Sequence, residues 1–258
     1  MHDVLTSTAL GEEELLRLGR DRATEYAEAA PFPHAVLDGF FDPAALEQVA
    51  REFPPLDDPV WTTYEGPSEG GKQEASDSAY WGPSVRQLIA QLSSQPWLGF
   101  VEELTGLHHL VPDPHGGGMH QSGPGARLSV HVDFNLHPEL PLERLVNVIL
   151  YLNPDWDETA GGSLELWTES ERARSILPLF NRCVVFSASE RSFHGHPVPV
   201  AGGIDPATGE TRRRRSIAMY YYGRRGEEPP ERHSTIWLSK AKPGRLERLK
   251  RWLGVLPE

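Results

Sequence analysis

Near residue 107 the hydrophobic period of this 258-residue chain changes. Before that point apolar residues recur at helical spacing. Leu15, Leu16, Leu18, Ala23, Tyr26 and Ala27 mark residues 12–29 as an amphipathic helix. A short strand is expected at 34–37. Asp42 followed by Pro43 has the form of an N-cap with proline in the first helical position, opening a helix to about residue 53. Gly82-Pro83 and Gln95-Pro96 open two more, which end near residues 92 and 104. Beyond 107 the apolar residues come in short runs at 109–111, 127–131, 144–152, 163–167, 182–186 and 213–222. Glycine clusters at 116–118, 161–162 and 202–203 separate them. Strands this short and this close together indicate a jelly-roll sandwich or barrel. Helices followed by strands indicate an α+β fold with the helices packed on one side of the β core. The expected organisation is one domain over 1–258: a mainly helical part at 1–107, a β core at 108–223 and an extension at 224–258. In that extension Leu246, Leu249 and Leu253 give a short helix its apolar stripe. Residues 66–82 are polar, rich in glycine and without period, so they read as a loop and a candidate lid.

Composition removes several classes of function. A single cysteine, Cys183, excludes an internal disulfide and a thiolate zinc cage. No apolar run approaches the ~18 residues of a membrane span. The first ten residues have no basic region followed by an apolar one, so a cytoplasmic protein is expected. A formal charge of −12 argues against nucleic-acid binding and suits a small cationic substrate. The sequence does not specify an oligomeric state.

The chemistry begins at His131-Val132-Asp133. Side chains two apart on a strand point the same way, so an imidazole and a carboxylate can grip one ion from one strand end. A third ligand would come from a distant strand, and Ser192-Phe193-His194-Gly195-His196-Pro197 offers His194 or His196. Two histidines and a carboxylate on one side of an ion leave open positions for a chelating co-substrate and dioxygen. A second signal is the run Arg212–Arg215 ahead of Ser216-Ile217-Ala218-Met219-Tyr220. By alternation Arg214 shares a face with the small residues Ser216 and Ala218, which suit a crowded interior. A guanidinium placed there matches a carboxylate with paired hydrogen bonds. Arg213 and Arg215, on the other face, are expected at a solvated hairpin end.

These residues occur in an order that resembles the Fe(II)/2-oxoglutarate-dependent dioxygenases, particularly their prolyl-hydroxylase-like branch. The resemblance is carried by His131-Val132-Asp133, residues 144–153, Asp155-Trp156-Asp157, Gly161-Gly162-Ser163-Leu164, residues 178–182, His194 and Arg214-Arg215-Ser216-Ile217. It covers about residues 110–223. It implies a double-stranded β-helix, ferrous iron, 2-oxoglutarate and O2. It also implies His131, Asp133 and His194 as iron ligands and catalytic centre. Arg214 and Tyr151 would bind the far carboxylate of 2-oxoglutarate, Leu164 would form an apolar wall, and Asn147, in phase with Tyr151, would also point inward. His194 is preferred over His196 by its offset from Arg191. Asp133 disfavours halogenation, since the related halogenases have a small residue there. Gln121 stands roughly where the hypoxia-sensing prolyl hydroxylases have a co-substrate-binding tyrosine. Asn135, Arg144 and Gln121 are candidate substrate contacts. The implied reaction is C–H oxidation of a small, natural-product-type substrate, by hydroxylation or ring closure, with release of succinate and CO2. The alternatives are a peptidyl or prolyl hydroxylase, a cupin-like binding module without catalysis, and a zinc hydrolase.

Overall fold

The computed structural model describes residues 11–205, 209–226 and 230–238, without the side chains of 114–116. Helix α1 (Glu12–Glu28) opens with three glutamates, the charge that the positive end of a helix dipole favours. Strand β1 (His34–Asp38) follows, then α2 (Pro43–Arg51), whose cap Asp42 accepts a hydrogen bond from the Ala44 N–H at 2.8 Å. Strands β2 (Thr62–Glu65) and β3 (Glu69–Ala75) form a hairpin ahead of α3 (Pro83–Leu92) and α4 (Gln95–Thr105). The remaining strands are β4 (Val111–Val132), β5 (Glu143–Tyr151), β6 (Leu164–Trp167), β7 (Arg172–Ile176), β8 (Arg182–Ser187), β9 (Phe193–His196), β10 (Arg214–Gly223) and β11 (Ile236–Trp237). No helix among the described residues is long and apolar enough to cross a membrane.

The strands pair antiparallel in the order β1-β8-β5-β10-β4-β9-β6-β7, with β3 and β11 also on β4. The sheet closes over on itself. Leu164 and Leu166 of β6 and Ile176 of β7 meet Tyr151 of β5 and Val184 and Phe186 of β8 in one apolar cluster. Two antiparallel layers stacked in this way form the double-stranded β-helix core, and the fold is α+β. Strand alternation then divides the side chains of the central strands. Val146, Val148 and Leu150 of β5, Cys183 and Val185 of β8, and Ile217, Met219 and Tyr221 of β10 pack against the helices in the largest core cluster. Asn147, Tyr151, Ser216, Ala218 and Tyr220 point the other way, into the β core. The helices come close together: a Cβ on Gly19 of α1 would stand 2.8 Å from the Phe100 carbonyl oxygen of α4.

The structure departs from the sequence-based expectations in four places. Residues 66–82 are not an unstructured loop. They hold β3, which pairs with β4 from Glu69↔Leu128 to Ala75↔Met119. The backbone supplies these bonds whatever the side chains are, so a strand forms without an apolar period. The glycines at 116–118 do not separate strands but lie inside β4, which runs unbroken over 22 residues. The N-terminal part is mainly helical and has the strand expected at 34–37 as β1, but two strands not expected there, β2 and β3, also join the sheet. Arg213 and Arg215 are not solvated: they are 9% and 5% exposed, on the helix-facing side of the sheet. The helix expected near the C-terminus lies outside the described residues.

Candidate functional site

His131 and Asp133 sit at the end of β4, and His194 sits directly opposite His131 in the β4–β9 register. The ligating atoms of the three lie within 4.8 Å of one another. His131 Nε2 is 3.3 Å from Asp133 Oδ1, and His194 Nε2 is 3.5 Å from Asp133 Oδ2. Metal–nitrogen bonds of about 2.1 Å at right angles would put neighbouring donors about 3 Å apart, so the spacing fits one ion. The backbone fixes the tautomers. His131 Nδ1 bonds the Ser129 carbonyl oxygen and His194 Nδ1 bonds that of Ser192, each at 2.9 Å. Each Nδ1 must therefore carry the proton, which leaves the Nε2 lone pairs facing the carboxylate. Burial brings the His194 imidazole down to about 4 against the partial opposition of Asp133, so it is a neutral ligand at neutral pH. Trp237 of β11 stacks on His131 with ring centroids 5.2 Å apart.

Asp133 is held from behind. Its Oδ2 accepts from Arg144 Nη2 at 3.0 Å and from Asn147 Nδ2 at 2.8 Å, and Arg144 Nε donates to Asn147 Oδ1 at 2.7 Å. Burial alone would raise the Asp133 carboxyl, but Arg144, His194 and His131 outweigh it and hold it well below the usual carboxylate range. Arg144 is itself stacked on Tyr220, 3.4 Å from the ring centroid. A carboxylate kept charged and oriented beside two imidazoles is the donor set of a divalent cation of intermediate hardness, ferrous iron included.

This cluster stands between two cavities. The inner one, about 80 Å³, lies inside the β core and reaches Leu164, Ser216 and Arg214. At its end Arg214 donates from Nε to the Gly162 carbonyl oxygen at 2.7 Å and from Nη2 to the Tyr151 hydroxyl at 3.0 Å. The hydroxyl accepts that bond, so its own proton is left to donate. Burial raises Tyr151 above its ordinary value despite Arg214, which keeps it protonated. A guanidinium and a phenol donor at the closed end of a pocket suit a carboxylate. The outer cavity, about 310 Å³, opens to solvent and is walled by Phe134, Asn135, Glu143, Glu190, Arg191 and Arg225 among others. Asp133, Arg144 and Asn147 line both.

The structure thus brings together His131, Asp133, His194, Arg214, Tyr151, Asn147 and Leu164. His196 shares the inward face with His194 and is buried beside the inner cavity, outside the three-ligand cluster. Asn135 lines the outer cavity while bonding the Glu231 carbonyl oxygen and the His233 N–H. Arg144 is the buried partner of Asp133 and also lines the outer cavity. Gln121 does not join the site. It points to the other face of β4, donates to Gln73 at 2.9 Å and accepts from Arg213 at 3.3 Å. Its neighbours His120 and Ser122 line the inner cavity instead, with Lys72 of β3. Alternation along a strand recognised through residue 120 would have found His120 and Ser122. Lys72 had no signal while 66–82 read as a loop.

Four likenesses bear on this geometry. The model of the 2OG-Fe(II) oxygenase superfamily matches residues 117–222. Over 93 residues, 34% of this chain, the sequence is 32% identical to the prolyl 3-hydroxylase OGFOD1 of Mus musculus, and the match spans only 16% of that relative. The fold is similar to that of a prolyl hydroxylase from Trichoplax adhaerens solved with a peptide fragment of hypoxia-inducible factor. The TM-score is 0.58 and the identity 17%, over 84% of this chain and 94% of that one. It is also similar to HygX from Streptomyces hygroscopicus, solved with nickel, 2-oxoglutarate and hygromycin B. There the TM-score is 0.51 and the identity 11%, over 82% and 90% of the two chains. The matched segment contains the whole ligand cluster and the Arg214–Tyr151 pair, and over that segment the chain resembles the 2OG-Fe(II) oxygenase superfamily and its prolyl hydroxylases.

Proposed function

We propose that the protein is an Fe(II)- and 2-oxoglutarate-dependent oxygenase that oxidises a C–H bond of a small polar substrate in the outer cavity. The observation that carries this reading is the single line of groups from Arg214 and Tyr151, through the inner cavity, to His131, Asp133 and His194. A cupin-like binder or a zinc hydrolase has no use for a buried carboxylate-binding arginine beside its metal. His131, Asp133 and His194 would hold the iron. Iron and 2-oxoglutarate, when bound with O2, supply the oxidising chemistry, with succinate and CO2 as co-products. The chain's own residues do the rest. Arg214 and Tyr151 bind the far carboxylate of the co-substrate, and Leu128, Ile149 and Leu164 exclude water from its body. Arg144 and Asn147 fix the plane of the Asp133 carboxylate. The outer cavity presents the substrate to the open side of the metal.

Size and charge support a small polar substrate. The outer cavity has room for a compact molecule. The acidity of the whole chain does not extend to its walls, where Arg144, Arg191 and Arg225 accompany Glu143 and Glu190. A prolyl residue in a peptide is the second reading, favoured by the segment shared with a mouse prolyl 3-hydroxylase. The test is succinate formation from 2-oxoglutarate with ferrous iron, run against one panel of small polar metabolites and one of prolyl peptides. Iron-dependent turnover that His131→Ala abolishes is expected, with stimulation by a member of the first panel. Stimulation by the second panel alone selects the peptide reading. Iron-loaded protein with no turnover under any condition overturns both.

A further inference from the structure

Arg213, just ahead of β10, and Arg215 flank Arg214 but face the opposite way, towards the helices. Both line a cavity of about 460 Å³ between β10 and α2, on the far side of the strand from the metal cluster. Its apolar wall is made by Ala50, Phe53, Pro154 and Phe180. Its charged residues are Glu47, Arg51, Glu210, Arg213 and Arg215. Glu47 and Arg51 pair with each other at 3.7 Å on the surface of α2.

Of the two buried guanidiniums, Arg215 is not fully matched. Arg213 donates to Glu210 and to the Pro54 carbonyl oxygen, each at 2.7 Å, and to Gln121 Oε1 at 3.3 Å, and Glu210 is 61% exposed. Arg215 reaches Asp205 only at 3.6 Å and the Ala50 carbonyl oxygen at 3.3 Å. Its buried Nε has no hydrogen-bond partner. A buried charge with an unmet donor is unfavourable. Burial, and then the neighbouring charge of Arg213, bring Arg215 below its ordinary value in spite of Asp205 and Glu210. At the basic corner of this largely apolar pocket one buried guanidinium donor, Arg215 Nε, is left without an acceptor.

We propose that this cavity is a second ligand site, which takes a small organic carboxylate with a compact apolar body. The carboxylate lies against Arg213 and Arg215, and the body packs on Phe53, Pro154 and Phe180. The site is separate from the co-substrate pocket, because Arg214 points to the other side of the same strand. The probe is phenylacetate, with 2-phenylethanol as the uncharged comparison. Both are titrated calorimetrically into the full-length protein loaded with nickel(II) and saturated with 2-oxoglutarate, which occupies Arg214. Saturable 1:1 binding of phenylacetate is expected, with none for the alcohol. Affinity should fall at least about tenfold in Arg215→Met, as for loss of a charge-assisted hydrogen bond. It should fall equally in Ala50→Trp, which fills the cavity from α2 and leaves both arginines in place, so either folded variant decides the matter. No saturable binding to the wild-type protein, equal binding of the alcohol, or binding unchanged in a folded variant overturns the proposal.

Discussion

Arg214 and Arg144 are both buried arginines, yet their substitution should have opposite signatures. Arg214 bonds a carbonyl and a phenol and faces the inner cavity, so the folded chain does not depend on it for charge balance. Arg214→Met should leave metal affinity intact and raise the 2-oxoglutarate concentration for half-maximal turnover about 10- to 100-fold. That is the effect of losing a hydrogen-bonded charge at about 1.5–3 kcal/mol. A titration of 2-oxoglutarate against succinate release reads it directly. Arg144 instead balances Asp133, and removing one member of a buried pair costs about 3–5 kcal/mol. Arg144→Met should lower the unfolding midpoint of the metal-free protein strongly, and saturating zinc(II) should restore much of it, because the cation takes over the balancing charge. A midpoint that responds to Arg144→Met no differently with and without zinc would contradict this role.

Among the secondary elements, the β2–β3 hairpin is the one whose form depends most on a single backbone angle. Gly71 sits at φ +68, beside the register shift between Gly70 and Lys72, with Ala126 Cβ 3.0 Å from where its own Cβ would be. Gly71→Ala should weaken the hairpin by about 1–2 kcal/mol, the cost of a left-handed angle for a residue with a side chain. Amide exchange over 62–75 should speed up while the exchange of β5 and β10 stays unchanged. The same hairpin shows where sequence legibility ends. Strands β5, β8 and β10 were readable because they are buried on both faces and so carry near-continuous apolar runs, and the helices were readable from their periods and from Asp42 and Pro43. β3 was not, since its sequence of glycine, lysine, glutamine and glutamate is held by backbone bonds to β4. β7 was missed because four of its five residues are exposed. β9 was too short and too rich in histidine to look like a strand, although His194 was read as a candidate ligand and lies in the cluster. At the site, the residues with a motif were legible. Gln121 was misplaced by one residue of strand phase, and phase is what a β-strand converts into a change of face.

At the scale of the whole molecule, the helices and the sheet share one apolar core. Cys183 of β8 belongs to it, fully buried on the helix-facing side of the sheet, and burial pushes its thiol well above the ordinary value. A thiol so placed reacts only when the core opens. Labelling by a soluble disulfide reagent at pH 8 should be slower in the native protein than in denaturant by at least about a thousandfold, the population of unfolded chain that ordinary stabilities allow. Labelling should accelerate with denaturant in parallel with loss of the circular-dichroism signal. Fast labelling of the native protein would mean that the sheet and the helices part independently. The two imidazoles of the metal cluster have a further consequence at this scale. They are oriented by the main-chain carbonyls of Ser129 and Ser192, which exchange of those side chains does not remove. The walls of the outer cavity are side chains, and their exchange leaves those two carbonyls in place. Substrate preference can therefore be redrawn, by evolution or by an engineer, without rebuilding the part of the protein that aims the metal's ligands.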